Sequence, residues 1–349
     1  MHVARFWHAE DNNRVRCQLC RHFCLIAPGK RGLCGVRENI SGELKSLVYG
    51  RSVASAIDPV EKKPLFHFHP GSLSYSIATV GCNFRCLHCQ NHHISQWSID
   101  HGEIPGDYLP PVDVVRRARS ADCLSISYTY TEPTIFYEYA HDTAILARKA
   151  QLKNVFVTNG YISAPALDEI APFIDAANID LKGFSEKFYH QVAGAKLSQV
   201  LDSLRAYRKH DIWLEITTLI IPGKNDDPAE LRDLATFIYD ELGPQTPWHV
   251  TAFYPTWKLL DSPPTPPETL TRVRDIGLEV GLHYVYTGNI PGNAGENTCC
   301  PQCHRVVIER HGFSLHNIHL HGGCCTYCGT TIDGVGLGDL DESGSESVQ

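Results

Sequence analysis

Three cysteines, Cys82, Cys86 and Cys89, stand in a C-x3-C-x2-C loop, Gly81-Cys82-Asn83-Phe84-Arg85-Cys86-Leu87-His88-Cys89-Gln90-Asn91. Three thiolates hold three corners of a cubane 4Fe–4S cluster, and no fourth cysteine lies close by to hold the last. An iron left open can bind and reduce a small molecule, whereas a fully ligated cluster only passes electrons. Gly81 lets the backbone come close to the cluster, and Arg85 offsets some of its negative charge. Zinc is the other metal that three cysteines allow.

Two more groups flank this loop. Cys17, Cys20, Cys24 and Cys34 lie within one glycine-rich stretch and are sufficient for a closed site holding zinc or a second iron–sulfur cluster. Cys300-Pro301-Gln302-Cys303 and Cys325-Thr326-Tyr327-Cys328 form two CxxC knuckles, the pattern of a zinc ribbon on Cys300, Cys303, Cys325 and Cys328. A rubredoxin-like iron is the alternative, and Cys299, Cys324 and His304 are spare ligands beside it. Clustered cysteines in a chain without a secretory h-region after Met1 favour metal over disulfides. The expectation is a soluble, cytoplasmic protein in a reducing compartment.

The chain has 349 residues, 43% of them hydrophobic, enough for a sizeable core. A net charge of −8 argues against a strongly basic nucleic-acid surface. No apolar run reaches the roughly 18 residues of a membrane span.

The elements that must position these groups alternate. Strand-like runs fall at 73–80, 124–129, 154–158, 176–181, 212–220, 248–253 and 283–287, with helical patterns at 112–120, 134–150, 164–172, 185–193, 196–209, 228–242 and 267–281. Repeated βα units imply an α/β fold with a parallel sheet covered on both faces. The count suits an open, partial (β/α)6 TIM-like barrel with one extra strand, whose functional residues belong at the carboxyl ends of its strands. The expected organisation is a Cys-rich metal-binding region over 1–71, the barrel over 72–292, a zinc-ribbon unit over 293–336 and a disordered tail over 337–349. Before the barrel, His67 and His69 read as packed, hydrogen-bonded histidines or as ligands.

Polar residues close several strands. Glu132 precedes Pro133 at a helix start, where its carboxylate can hold an amino group or cap the helix. Asn159 of Asn159-Gly160 can meet a ribose or carboxylate, or simply make a turn. Asp180 and Lys182 share one face and can bind ribose and carboxylate, or pair with each other. Glu215 is placed to face the barrel interior, where its charge needs a partner. Together these ends look like one ligand site across a barrel mouth.

The chain to about Gly336 resembles the radical S-adenosylmethionine (SAM) enzyme of the AmmeMemoRadiSam system, a relative of pyruvate formate-lyase activating enzymes. The resemblance rests on Cys17-Gln18-Leu19-Cys20, Ala27-Pro28-Gly29-Lys30-Arg31-Gly32, Gly35-Val36-Arg37-Glu38-Asn39, Glu61-Lys62-Lys63-Pro64-Leu65-Phe66-His67-Phe68 and Gly81-Cys82-Asn83-Phe84-Arg85-Cys86. Tyr128-Thr129-Tyr130-Thr131-Glu132-Pro133-Thr134, Asp180-Leu181-Lys182 and Tyr286-Thr287-Gly288-Asn289 continue it. It implies a 4Fe–4S cluster on Cys82, Cys86 and Cys89 and SAM on the open iron. Glu132 would meet the methionine amino group, with Asn159, Asp180 and Lys182 near the methionyl and ribose portions. Two places depart from the family pattern: His88 replaces an aromatic before the last cysteine, and Ala252 and Tyr254 stand where relatives carry Arg and His.

The implied function is reductive cleavage of SAM to a 5′-deoxyadenosyl radical that abstracts hydrogen from an unidentified substrate. One alternative is activation of a glycyl radical enzyme; another is a non-catalytic zinc scaffold or RNA-contacting protein. Expected partners are an electron donor such as flavodoxin or ferredoxin, and Memo-like and AMME-type proteins.

Overall fold

In the computed structural model residues 1–290, 292 and 294–340 are described. An eight-stranded sheet runs through the middle of the chain. Its strands are β1 (Ala54–Pro59), β2 (Leu73–Ala78), β3 (Ser125–Tyr128), β4 (Lys153–Thr158), β5 (Ala176–Asp180), β6 (Trp213–Ile220), β7 (Trp248–Ala252) and β8 (Val285–Gly288). They lie side by side in chain order, β2 to β8 parallel and β1 antiparallel to β2. The two ends of that order do not pair, so the barrel is open. All seven strands expected from sequence are present within a few residues. The eighth, β1, comes from the segment assigned by sequence to the region before the barrel.

Strands such as Val155-Phe156-Val157 are apolar on both faces because helices cover the sheet. The helices are α1 (Pro111–Ser120), α2 (Tyr137–Lys149), α3 (Ala164–Ile170), α4 (Leu197–Lys209), α5 (Pro228–Phe237) and α6 (Pro267–Val280). Proline opens α1, α5 and α6, where a missing N–H costs nothing. Asp227 caps α5 by accepting from the Ala229 and Glu230 amides, each at 3.0 Å.

The helical pattern at 185–193 resolves into one turn, Glu186–Phe188, followed by a π turn, Tyr189–Ala193. Gly194 ends it at φ 75°, a conformation that suits glycine. As the last carbonyls of the turn, those of Val192 and Ala193 have no partner within it and accept from the Leu87 and Arg85 amides, each at 2.9 Å. The π turn therefore grips the cysteine loop.

The C-terminal unit pairs Thr298–Cys299, Val306–His311 and Ser314–Ile318 in one small antiparallel sheet. Its core is shared: Cys300, Val307, Ile308, Leu320 and Cys325 pack with Phe66, Tyr284 and Tyr286 of the barrel side. A unit this small buries too little surface alone. Residues 64–69 are held between barrel and ribbon, with Val335 and Arg310 bonded to the His67 and Phe66 carbonyls at 2.7 and 2.9 Å. Of the expected tail, 341–349 lie outside the described residues, while Leu337–Asp339 make a 3-10 turn with Leu337 buried.

The N-terminal region forms two small antiparallel sheets. A buried ion pair, Arg37 to Glu138 of α2 at 3.0 Å, fastens it to the barrel.

Candidate active site and metal centres

The cysteine loop follows β2 directly, at the carboxyl end of the strand. Cys86 is buried and Cys82 and Cys89 are half-buried. Burial pushes the Cys86 thiol up to about 12 although Lys182 pulls the other way, and burial and Glu132 raise Cys82 well above its ordinary value. Such thiols give up their protons only to a cation placed among them. Gly81, at φ 98°, has no room for a side chain: a Cβ there would stand 2.6 Å from Val36 and 2.8 Å from the Cys34 carbonyl. His88 Nδ1 is a buried ring nitrogen without a partner. Deeply set thiols, a glycine cradle and an unpaired ring nitrogen fit an inorganic group bound by the loop.

The strand ends converge on it unequally. Asn159 Nδ2 donates to Asn83 Oδ1 at 2.8 Å and lies 3.9 Å from Cys82 Sγ. Lys182 Nζ pairs with Asp180 at 2.9 Å. Burial alone would lower the Lys182 pKa, but Asp180 and the Cys86 thiol hold it above the usual lysine range. A cation is therefore kept beside the loop. The same cation, after burial itself, keeps His88 neutral with a pKa of about 3.

Glu132 is fully engaged by the protein. Oε1 accepts from the Thr134 amide at 3.0 Å, the Thr134 hydroxyl at 2.6 Å and the Thr158 hydroxyl at 2.7 Å; Oε2 accepts from the Asn159 amide at 2.8 Å. It caps the turn after β3 and ties that turn to the end of β4. An incoming ammonium would have to share these bonds.

A cavity of about 580 Å³ opens where Gln90, next to Cys89, meets β7, β8 and the tip of the C-terminal hairpin at Phe313. Glu61 lines it: Oε1 accepts from the Gly71 amide at 2.7 Å, Oε2 has no partner, and burial raises its pKa. Tyr254 lines it too and is bonded to the Asn289 carbonyl at 3.0 Å, whereas Ala252 is buried within β7. Glu215 does face the interior. It accepts from the Phe66 and His67 amides and Trp213 Nε1, and pairs with His249 at 2.7 Å. Glu61 was not singled out by sequence reasoning; its only signal was the Glu61-Lys62-Lys63-Pro64 run.

Cys300, Cys303, Cys325 and Cys328 bring their sulfurs within 4.8 Å of one another, the single such group among the described residues. Cys300 and Cys328 are 3.5 Å apart and Cys303 and Cys325 3.7 Å. Zinc–sulfur bonds of about 2.3 Å in a tetrahedron set sulfurs roughly 3.8 Å apart. The quartet fits a single tetrahedral ion. Cys17, Cys20, Cys24 and Cys34 instead ring a narrow cavity together with Arg37 and Asn83.

Comparison with known proteins agrees with this arrangement. Residues 76–235 match the Radical SAM superfamily. A Methanocaldococcus jannaschii protein, MJ0808, itself uncharacterized, is 47% identical over 335 residues, covering 95% of this chain and 99% of that protein. Pyruvate formate-lyase 1-activating enzyme of Escherichia coli is 24% identical over 213 residues, 56% of this chain and 85% of that enzyme. Among solved structures, a radical SAM methyltransferase from Sphaerobacter thermophilus shares the fold, with a TM-score of 0.50 and 16% identity over 67% of this chain and 71% of that one. The chain belongs to the radical SAM superfamily and is a radical SAM enzyme. No helix among the described residues is long and apolar enough to cross a membrane.

Proposed function

We propose that Cys82, Cys86 and Cys89 hold a 4Fe–4S cluster with one open iron, and that SAM binds there, as in the AmmeMemoRadiSam enzymes the sequence resembles. The observation that carries this reading is the three-cysteine loop gripped at the carboxyl end of β2, with Asn159 and Lys182 at neighbouring strand ends. Bound there, the reduced cluster and SAM supply a 5′-deoxyadenosyl radical by one-electron cleavage of the C5′–S bond. The protein's own residues bind, orient and shield. Asn159, Asp180 and Lys182 are the contacts for the methionyl and ribose portions. Glu132 was expected at the amino group; its four bonds favour a bracing role that holds Asn159 in place. The substrate occupies the cavity beside Gln90, whose size suits a small molecule, and the unpaired oxygen of Glu61 receives one of its donor groups.

A low-potential donor such as flavodoxin or ferredoxin supplies the electron, and Memo-like and AMME-type proteins are the partners to test for exchange of substrate. The setting is cytoplasmic. After anaerobic reconstitution and reduction, the protein is expected to convert SAM to methionine and 5′-deoxyadenosine, and Cys82→Ala to abolish that conversion. Undiminished cleavage in Cys82→Ala, or a reconstituted protein without iron, would remove this reading. Candidate small molecules carrying deuterium then reveal the substrate by transfer of label to 5′-deoxyadenosine.

Glycyl radical enzyme activation is the second reading, favoured by the likeness to the Escherichia coli activating enzyme. It predicts a glycyl spin signal on a partner polypeptide.

A further inference from the structure

The cysteines at positions 17, 20, 24 and 34 have no part in the chemistry above, yet they surround one cavity rather than lying scattered. Their geometry differs from that of the C-terminal quartet. No three of their sulfurs gather within 4.8 Å, although all four residues are described. A single ion with bonds of about 2.3 Å would require that gathering. A cubane core has each thiolate on a separate iron, so its sulfurs stand farther apart.

The wall carries two further marks. Arg37 and Asn83 both line the cavity and are almost fully buried, at 1% and 2% exposure. Arg37 Nε and Asn83 Nδ2 have no hydrogen-bond partner. Buried donors left unpaired are costly, and hydrogen bonds to sulfur are a main way a protein tunes an iron–sulfur cluster. Free space between the side chains is only about 10 Å³, room for one water. Spacing outweighs this, because the sulfurs do not gather as a single ion would require, and the rim lies open to solvent: Leu33 is 54% exposed and Cys20 and Cys24 are half-buried.

The site also abuts the first cluster loop. The Cys34 carbonyl fills the space where a Gly81 side chain would be, His22 Nε2 bonds the Asn83 carbonyl at 2.8 Å, and Arg85 bridges the Leu33 and Cys82 carbonyls. A purely structural ion needs no such contact.

We propose that Cys17, Cys20, Cys24 and Cys34 hold a second 4Fe–4S cluster, fully ligated by cysteine, which carries electrons and does not bind SAM. It takes one electron from a low-potential flavodoxin- or ferredoxin-type protein and passes one on, with no bond made or broken. This site does not depend on the reading of the loop at Cys82.

The test uses the full chain with Cys82→Ala, Cys86→Ala and Cys89→Ala together, reconstituted anaerobically with iron and sulfide. About four irons and four sulfides per chain should remain, with about one zinc. Reduction should give a cluster spin signal that added SAM leaves unchanged. Loss of essentially all iron, or about two zincs per chain, overturns the proposal. Should the triple variant not fold, Cys20→Ala with Cys24→Ala in the otherwise intact chain decides. Iron should then fall from about eight to about four, and SAM should still perturb the remaining signal. Unchanged iron in that variant overturns the proposal; a missing SAM response with eight irons in the unaltered protein counts only against the loop reading.

Discussion

The two four-cysteine groups share a ligand set and differ in almost everything around it. In the C-terminal unit the sulfurs already stand at the spacing of one tetrahedral ion. They sit at the end of a small sheet that borrows Phe66, Tyr284 and Tyr286 to complete its core. In the N-terminal region the sulfurs ring a cavity, against the loop of Cys82, and an ion pair anchors the region to α2. Position along the chain says little about this; the two quartets differ in the groups that pack around them.

The largest effect expected from breaking this contrast is loss of the C-terminal metal. Cys303→Ser should remove about one zinc per chain by metal analysis. It should also forfeit metal-linked folding free energy on the order of 10 kcal/mol in that unit, seen as an early unfolding step that spares the barrel. If metal content and melting stay unchanged, the staple reading fails.

Next comes the N-terminal anchor. Arg37→Met leaves Glu138 inside the protein without its ion-pair partner, held there by the Arg5 amide at 2.7 Å, and breaking such a buried pair costs about 3–5 kcal/mol. Denaturant unfolding under anaerobic conditions measures it, and iron at the neighbouring cysteines should fall in parallel. A stable variant with unchanged iron would separate the anchor from the metal site.

Acid should loosen the C-terminal side. Burial holds His67 at a pKa of about 4, below its ordinary 6.5, with Glu215 and Arg310 facing it. Its Nδ1 lies 2.6 Å from the Asp333 carbonyl and its Nε2 2.5 Å from the Tyr286 hydroxyl. A carbonyl only accepts, so Nδ1 carries the proton and Nε2 receives one from Tyr286. The folded state binds fewer protons than the unfolded one between those values. Stability is therefore full above pH 6.5 and lost as pH falls toward 4, by on the order of 3 kcal/mol. Glu215, held low by His249 despite burial, adds loss in the same direction. Urea midpoints at pH 7 and 5 should differ accordingly, and His67→Gln should flatten the difference.

The smallest effect concerns ligand tuning. The Thr330 hydroxyl and amide hold the Cys328 thiol down to about 6. Thr330→Ala should weaken zinc roughly 10-fold in competition with a chromophoric chelator, with iron content unchanged.

Much of the fold was legible because βα alternation is a local pattern: apolar runs bounded by Gly, Pro and Asn give strands whether or not their partners are known. The misread parts are non-local. Strand β1 pairs into the main sheet through contacts that its own composition does not announce. The 185–193 stretch has a helical pattern, and in the fold it closes as a π turn whose last carbonyls meet the cysteine loop. Among candidate site residues, Asn159 and Lys182 do come to the loop, while the four donors that reach Glu132 come from three different residues and could not be read from its own segment. Glu61 stayed hidden because an unpartnered oxygen is a property of its surroundings.

By itself the sequence determined how many thiolates each loop offers, since ligand number and spacing along a short loop are local. It also determined that β2 to β8 follow one another across the sheet, because repeated βα units bring successive strands side by side. Tertiary structure alone decided how far apart the sulfurs stand and which carboxylate is free. Those quantities arise where segments distant in sequence pack together, and the packing, not the spacing, separates the quartet at Cys300 from the quartet at Cys17.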